Sequence, residues 1–137
     1  KEWIVSHEHL VIKEKSKMFS PGNLRAVNEN EEYDKVVAGW IKKGYTLRYT
    51  GGLVPDVGQI FIKGHGVLSN IGSKSHKCKL RALYEAAAVG FLIERAGGRS
   101  VTNGKKSLME FEITSYDDRL SFAVGSAEEI ENLTHLF

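Results

Sequence analysis

Apolar residues recur every three or four positions in several stretches of this chain, which is the spacing of one face of a helix. In the first stretch an asparagine that can cap a helix, Asn28 or Asn30, precedes the repeat, and Gly44 ends it. The longest repeat predicts a helix over about 79–96, which two glycines then end. Its apolar stripe consists of Leu80, Leu83, Tyr84, Ala87, Ala88, Phe91 and Leu92.

Two further helices are predicted by weaker signals. Ser126 and Glu129 have the S-x-x-E spacing of a capping box, which would open a last helix over 127–136. The stretch 53–63 is read as a short helix, although a strand over 60–62 fits nearly as well.

Short β-rich or alternating stretches lie between these helices. Strands are predicted over 8–15, 45–49, 67–68, 100–102 and 121–124, and loops over 19–23 and 69–77. Because helices and strands alternate along the chain, we expect an α/β fold, a layered domain with helices packed on a mixed β-sheet.

Composition narrows the class of protein. The chain has 137 residues, enough for one domain, and a formal net charge of only +2 with acids mixed among the bases, which argues against a nucleic-acid partner. No apolar run is long enough to cross a membrane, and the single cysteine, Cys78, excludes a disulfide framework. The N-terminus resembles neither a signal nor a transit peptide, so we expect a fragment of a longer, non-secreted protein.

The start of the longest predicted helix is a candidate anion site. Lys79 and Arg81 lie in its expected first turn, where the helix dipole disfavours cations unless an anion binds there. Arg81 and Glu85 are four residues apart and share a face. Spacing alone favours the simpler interpretation, a solvated helix start with one ion pair.

A second candidate is the run that contains Arg48, Tyr49, Gly51 and Gly52. Arginine suits bidentate phosphate contact, and paired glycines let backbone N–H groups approach a ligand. A strand end followed by an ordinary glycine turn explains the same residues.

Other polar residues give weaker evidence of a functional site. Asn23 and Arg25 follow a Pro-Gly loop and can bind a hydroxyl or phosphate, but a plain surface loop is the commoner case. Lysines flank Cys78 and can lower its pKa, yet no paired base is evident. The pair Asp117–Asp118 is interpreted as a solvated turn, and the segment His7–His9 as a solvated strand edge.

Two blocks together resemble a known family. The segment 48–57 (RYTGGLVPDV) and the segment 79–85 (KLRALYE) resemble signatures of the fructose-1,6-/sedoheptulose-1,7-bisphosphatase family, in the same order and at similar separation. The helix end at 94–98 (ERAGG) and the closing 124–126 (VGS) resemble it too. The likeness covers essentially the whole chain.

The resemblance implies a fold and an activity. Residues 1–137 would be the C-terminal, sugar-phosphate-binding domain of the sugar-phosphatase fold, with the N-terminal metal-binding domain outside this chain. Segments 19–26 and 45–52 resemble the seven-carbon branch, whose enzymes hydrolyse the 1-phosphate of sedoheptulose 1,7-bisphosphate. The alternatives are a non-catalytic sugar-phosphate-binding or regulatory module, and a fructose-1,6-bisphosphatase or dual-substrate enzyme.

The resemblance also implies residue roles. By position, Glu85 is similar to a metal ligand, Arg81 to the contact for the departing phosphate, and Lys79 and Tyr49 to contacts for the distal phosphate. Arg48 matches a residue that reaches a neighbouring subunit's site. The remaining expected substrate contacts are Gly51, Gly52, Leu53, Asn23, Arg25 and Asn70.

The implied cofactor is Mg²⁺, two or three ions in a complete enzyme. The family's other metal ligands lie in an Asp-Pro-x-Asp-Gly-Ser-type motif and an upstream acidic residue, neither of which occurs here. One carboxylate does not hold several Mg²⁺ ions, so we expect this chain alone to be inactive. The resemblance further implies a homo-oligomer, a dimer or tetramer, in the cytoplasm or plastid stroma.

Overall fold

The structure is a computed structural model that describes residues 1–137. Five strands and four α-helices make up the regular part of the fold. The strands are β1 (Met18–Gly22), β2 (Thr46–Leu47), β3 (Val67–Asn70), β4 (Arg99–Thr102) and β5 (Phe122–Gly125). The helices are α1 (Glu31–Lys42), α2 (Leu53–Lys63), α3 (Ala87–Arg95) and α4 (Ala127–Leu133).

The strands form one mixed sheet in the order β2-β1-β3-β5-β4. β1 runs parallel to both β2 and β3, whereas β5 is antiparallel to β3 and β4. The expected α/β fold with a mixed sheet is therefore confirmed.

Helices cover both faces of the sheet. On one face α2 and α3 bury side chains such as Ile60 and Ile93 against Phe122. On the other face α1 and α4 bury Tyr33, Trp40 and other residues against the alternate side chains of the same strands. This two-sided burial fixes the register of the central strands, because a one-residue slip would exchange the two faces.

Local signals placed α1 and α2 correctly. Asn30 caps α1, and its side chain accepts a hydrogen bond from the Tyr33 N–H at 3.0 Å. α2 forms over Leu53–Lys63, and the alternative strand over 60–62 is wrong. Gly64 ends α2 with a left-handed φ of 70°.

The predicted loop over 19–23 is largely strand β1. The Phe19 carbonyl accepts a hydrogen bond from the Arg48 N–H at 2.9 Å, so the backbone of Pro21, two residues later, faces the same side. β2 pairs only with Met18 and Phe19, so no strand lies beside Pro21 there, and its missing N–H costs no ladder bond.

The predicted strand over 8–15 is wrong, since these residues form no regular structure. Of its apolar side chains only Ile12 is buried. The N–H groups of Ile12 and Lys13 donate to the carbonyls of Ala96 and Gly64, both 2.8 Å away. The segment thus satisfies the ends of two helices instead of joining the sheet.

The helix predicted over 79–96 begins later than expected. Its first turn is π-helical over Ala82–Ala86, and Arg81 is the capping residue with extended dihedral angles. Lys79 lies outside the helix, so the two cations do not occupy a first helical turn as predicted. Asp118 explains the late start, because its carbonyl accepts the Ala82 N–H at 2.7 Å and holds the preceding chain extended.

Ser126 does precede α4, but the predicted capping box is wrong. The Ser126 hydroxyl accepts from the Gly66 N–H, and Glu129 accepts from Trp40 Nε1 at 3.0 Å and the Tyr45 hydroxyl at 2.7 Å. Both side chains therefore form hydrogen bonds with residues distant in sequence and do not cap α4. A capping box forms instead at Ser107, outside the four main helices.

None of the helices combines the length and the apolar character that a membrane span needs.

Candidate anion-binding site

A crevice opens where β1 and β3 end side by side. Gly22 is paired with Asn70 at the last position of this parallel pair. After β1 the chain turns to α1 and the outer strand β2, whereas after β3 it turns toward α3 and the opposite edge strand β4. Such a switch at the carboxyl ends of parallel strands is where ligands bind in open α/β sheets.

The crevice is the mouth of a cavity of about 500 Å³. Seven of the residues predicted from sequence line it: Asn23, Arg25, Tyr49, Gly51, Leu53, Asn70 and Lys79. Six that were not predicted also line it: Gly22, Leu24, Asp56, Leu68, Lys77 and Leu80. A cavity of this size, with an apolar floor and a few polar groups, suits a small organic ligand.

Gly22 allows the two strands to close tightly beneath this mouth. A Cβ atom at this position would lie 2.8 Å from the Ser69 carbonyl oxygen, which is backbone and cannot move aside cheaply. The Tyr33 hydroxyl donates to the Gly22 carbonyl at 3.3 Å and contacts Ser69 Oγ at 3.0 Å. Burial raises the pKa of Tyr33 to about 12, so the phenol stays neutral at ordinary pH.

Asn23 has a structural task at the edge of the cavity. It adopts left-handed dihedral angles, φ 54° and ψ 42°. Its side-chain amide donates to the carbonyls of Ile71 and His76 at 2.8 and 2.7 Å. Both amide hydrogens are therefore committed, and only its carbonyl oxygen is free to face a ligand.

Asp56 is the acidic residue that sequence analysis missed. It is 1% exposed, and its two oxygens accept the N–H groups of Thr50 and Gly51 at 2.7 and 3.2 Å. The carboxylate thereby fixes the glycine turn that brings Tyr49 to the cavity. The available signal was an Asp in the first turn of a helix that directly follows a Gly-Gly turn.

The rim of the cavity is positively charged. Arg25, Lys77 and Lys79 line it and are exposed. None of them forms an ion pair with a carboxylate. The only acidic lining residue, Asp56, is already held by backbone donors. Three cations without partners favour an anionic ligand such as a phosphate ester.

Arg81 and Glu85 lie outside the cavity lining, at the start of the π-helical turn. The predicted ion pair between their side chains is absent, because Glu85 Oε2 accepts the Arg81 backbone N–H at 2.7 Å. The Arg81 guanidinium instead lies 3.5 Å from an oxygen of Asp117 and 5.8 Å from the Tyr84 ring centroid. Asp117 itself lies in a turn and is largely exposed, so the predicted solvated turn is confirmed.

Arg48 and Gly52 are the other two predicted residues outside the lining. Arg48 is exposed just after the edge strand β2, and Gly52 caps α2. Glu85, Arg81, Arg48 and Gly52 therefore keep their predicted roles only as predictions.

Cys78 is not activated by its lysine neighbours. Burial raises the pKa of its thiol, and the thiol donates to the Asn70 carbonyl at 3.3 Å. Burial outweighs any lowering of this pKa by Lys77 and Lys79, in agreement with the absence of a paired base in the sequence.

Comparison with known proteins agrees with this geometry. Residues 12–137 match the sequence model of the family described as fructose-1-6-bisphosphatase, C-terminal domain. The chain belongs to this family. Its curated relatives in the family include a chloroplastic sedoheptulose-1,7-bisphosphatase of Triticum aestivum, 54% identical over 83% of the chain, and one of Spinacia oleracea, 45% identical over 95%.

Solved structures of the family share the fold. A Toxoplasma gondii protein provisionally assigned as a sedoheptulose-1,7-bisphosphatase superposes with a TM-score of 0.88 and 46% identity over 93% of the chain. The same stretch amounts to 41% of that protein, 29% of the wheat protein and 37% of the spinach protein. The chain therefore spans well under half the length of these relatives.

Proposed function

We propose that this chain is the sugar-phosphate-binding half of a sugar bisphosphatase that hydrolyses the 1-phosphate of sedoheptulose 1,7-bisphosphate, giving sedoheptulose 7-phosphate and phosphate. The observation that carries the proposal is the cavity between β1 and β3, with three cations on its rim that have no carboxylate partner. The seven-carbon substrate is supported by the relatives of 54% and 45% identity, which carry that name.

In this proposal the cavity holds the sugar phosphate at its far end. Arg25 and Lys79 contact phosphate oxygens, and the Tyr49 hydroxyl adds a donor. The Gly51 backbone lies at the lining, in a turn that Asp56 keeps in place, and can meet sugar hydroxyls. Gripping the unreactive end allows binding energy to position the reacting phosphate.

Arg81 and Glu85 would act at the other end of the substrate. Arg81 would stabilise the negative charge that develops on the departing phosphoryl group. Its guanidinium has one weak, mostly solvated carboxylate partner, Asp117, and its buried Nε has no hydrogen-bond acceptor. It is therefore able to turn to a phosphate without breaking a strong contact.

Enzymes of this family are metal-dependent, and we propose Mg²⁺ as the metal. Mg²⁺ would supply a nucleophilic water and neutralise phosphate charge. Glu85 fits as one ligand, because its second oxygen accepts no hydrogen bond in the structure. No group of three or more His, Cys, Asp or Glu side chains is placed to hold a metal, so the remaining ligands would come from outside these residues.

Assembly and location belong to the same proposal. Arg48, which is exposed beside the edge strand β2, would reach a neighbouring subunit of a dimer or tetramer. Three sedoheptulose-bisphosphatase relatives are named as chloroplastic, which supports the plastid stroma more than the cytoplasm.

The test is Mg²⁺-dependent phosphate release by the full-length parent, with sedoheptulose 1,7-bisphosphate and fructose 1,6-bisphosphate assayed side by side. We expect a higher kcat/KM for the seven-carbon substrate and no release after chelation of the metal. Equal or reversed preference would overturn the proposal that the substrate has seven carbons, and would favour a fructose-1,6-bisphosphatase or dual-substrate enzyme. Absence of turnover with both would favour a non-catalytic binding module.

A further inference from the structure

A second cavity, of about 740 Å³, adjoins the first and shares Lys77 and Lys79 with it. Arg119 adds a third cation from the segment before β5. No acidic side chain lines this cavity. Its other lining residues are Gly72, Ser73, Ser75, Cys78, Asn103, Leu120 and Ser121, so hydroxyls and one amide accompany the three cations.

The acids nearest along the chain are engaged elsewhere. Asp118, next to Arg119, accepts the N–H groups of Thr114 and Ser115 at 2.6 and 2.9 Å. Asp117 pairs with Arg81. Arg119 itself forms no ion pair, so its charge is not neutralised within the chain.

The loop over 71–78 that separates the two cavities is held in place. Asn23 binds it at two carbonyls, and Glu29 Oε2 accepts the Ser75 N–H at 2.9 Å. Within the loop, the Ser73 N–H donates to the His76 carbonyl at 3.0 Å. These contacts hold the loop backbone that carries Lys77, so ordering that backbone adds little to the entropy cost of binding.

We propose that this second cavity binds a phosphate-class oxyanion, separately from the ligand of the first cavity. Three cations line it from two segments, and the Ser121 hydroxyl and the Asn103 amide are uncharged groups that can donate to phosphate oxygens. This site goes beyond the proposed function, because binding there requires no hydrolysis.

The test uses inorganic phosphate as the probe and amide NMR shifts of the 137-residue chain as the readout, at constant ionic strength made up with chloride. Phosphate should shift the amides of Gly72 and Ser121 in a saturable manner. Arg119→Gln should weaken this response at least tenfold, since a charged hydrogen bond is lost. It should leave the response at Gly51, in the first cavity, unchanged.

Arg25→Gln is the matched control, because Arg25 lines only the first cavity. It should weaken the response at Gly51 and spare that at Gly72. The proposal is overturned if phosphate produces no saturable shift at Gly72 and Ser121, or if Arg119→Gln leaves that shift unaltered while the variant retains the native spectrum.

A second arm tests whether the two cavities bind phosphate groups independently of each other. With the first cavity saturated by sedoheptulose 7-phosphate, inorganic phosphate should still shift Gly72, and Arg119→Gln should leave the sugar phosphate affinity unchanged. Loss of the Gly72 response in the presence of the sugar phosphate would overturn a separate site. Neither arm measures turnover, so the result is independent of whether the parent is a phosphatase.

Discussion

The rim of the first cavity and the start of the π-helical turn differ in how their cations are held. Arg25, Lys77 and Lys79 on the rim have no carboxylate partner, whereas Arg81 contacts Asp117 and a tyrosine ring. The rim residues follow the ends of the paired parallel strands β1 and β3. The turn offers one candidate metal ligand and one arginine. The difference indicates that, if the proposed function holds, substrate binding and phosphate transfer depend on separate groups of residues in this chain.

The largest expected effect is on catalysis, and it should distinguish Arg81 at the π-helical turn from Arg25 on the rim. If Arg81 has the proposed role, Arg81→Ala in the full-length protein should cost at least about 2 kcal/mol in transition-state stabilisation, mainly through kcat, because a positive charge beside the departing phosphoryl group is lost. Arg25→Ala should act mainly through KM. Steady-state kinetics with the bisphosphate measures both. Arg95→Ala, on the exposed side of α3, is the control, and wild-type kcat/KM in Arg81→Ala would sink the role given to Arg81.

Asp56→Ala tests whether a buried carboxylate holds the glycine turn that brings Tyr49 to the first cavity. It leaves the Thr50 and Gly51 N–H groups without their acceptor, so the free energy of unfolding should fall by about 2 kcal/mol. Urea denaturation measures this loss. Asp34→Ala, an exposed acid in α1, should change stability far less. Equal losses in the two variants would mean that Asp56 does not organise the turn.

The pH dependence of stability tests the burial of Tyr33, whose hydroxyl contacts Gly22 and Ser69 beneath the crevice. Its folded pKa of about 12 is above the ordinary value of 10, so its contribution to stability is complete below pH 10 and is lost as pH rises toward 12. By pH 11 the loss should be about 1 kcal/mol. Urea denaturation at pH 9 and pH 11 should show a smaller pH effect in Tyr33→Phe than in wild type. Tyr116→Phe, which removes an exposed phenol, should behave as wild type.

The smallest expected effect concerns Cys78, which lines the second cavity. Because burial raises its thiol pKa, the rate of alkylation by iodoacetamide should rise with pH along a curve displaced above that of a free cysteine peptide. A curve displaced to lower pH would show that the neighbouring lysines act on the thiol after all.

Local signals explain what the sequence could predict. α1 was predicted because a capping asparagine, a helical apolar stripe and a closing glycine agree within 15 residues or so. Arg25, Tyr49 and Lys79 came from motifs whose residue types suit phosphate. The structure adds that they meet at one cavity.

Long-range contacts explain the elements that could not be predicted from the sequence. β1 contains Pro21 and Gly22, and only its pairing with β3 makes that segment a strand. Residues 8–15 alternate like a strand, yet helix ends take their backbone groups. Ser126 and Glu129 have capping spacing, but partners far along the chain bind both. Each error arose where a distant group outcompeted a local preference.

The contacts that close the first cavity join residues far apart in the chain. Asn23 reaches carbonyls 48 and 53 positions away. Loop closure over such distances comes late for a folding polypeptide, so the cavity can form only after β1 and β3 have paired. A phosphate ester would then find no partial site in the unfolded chain, and its whole binding free energy would act against unfolding. Cellular abundance of such a protein would rise with the supply of its own ligand.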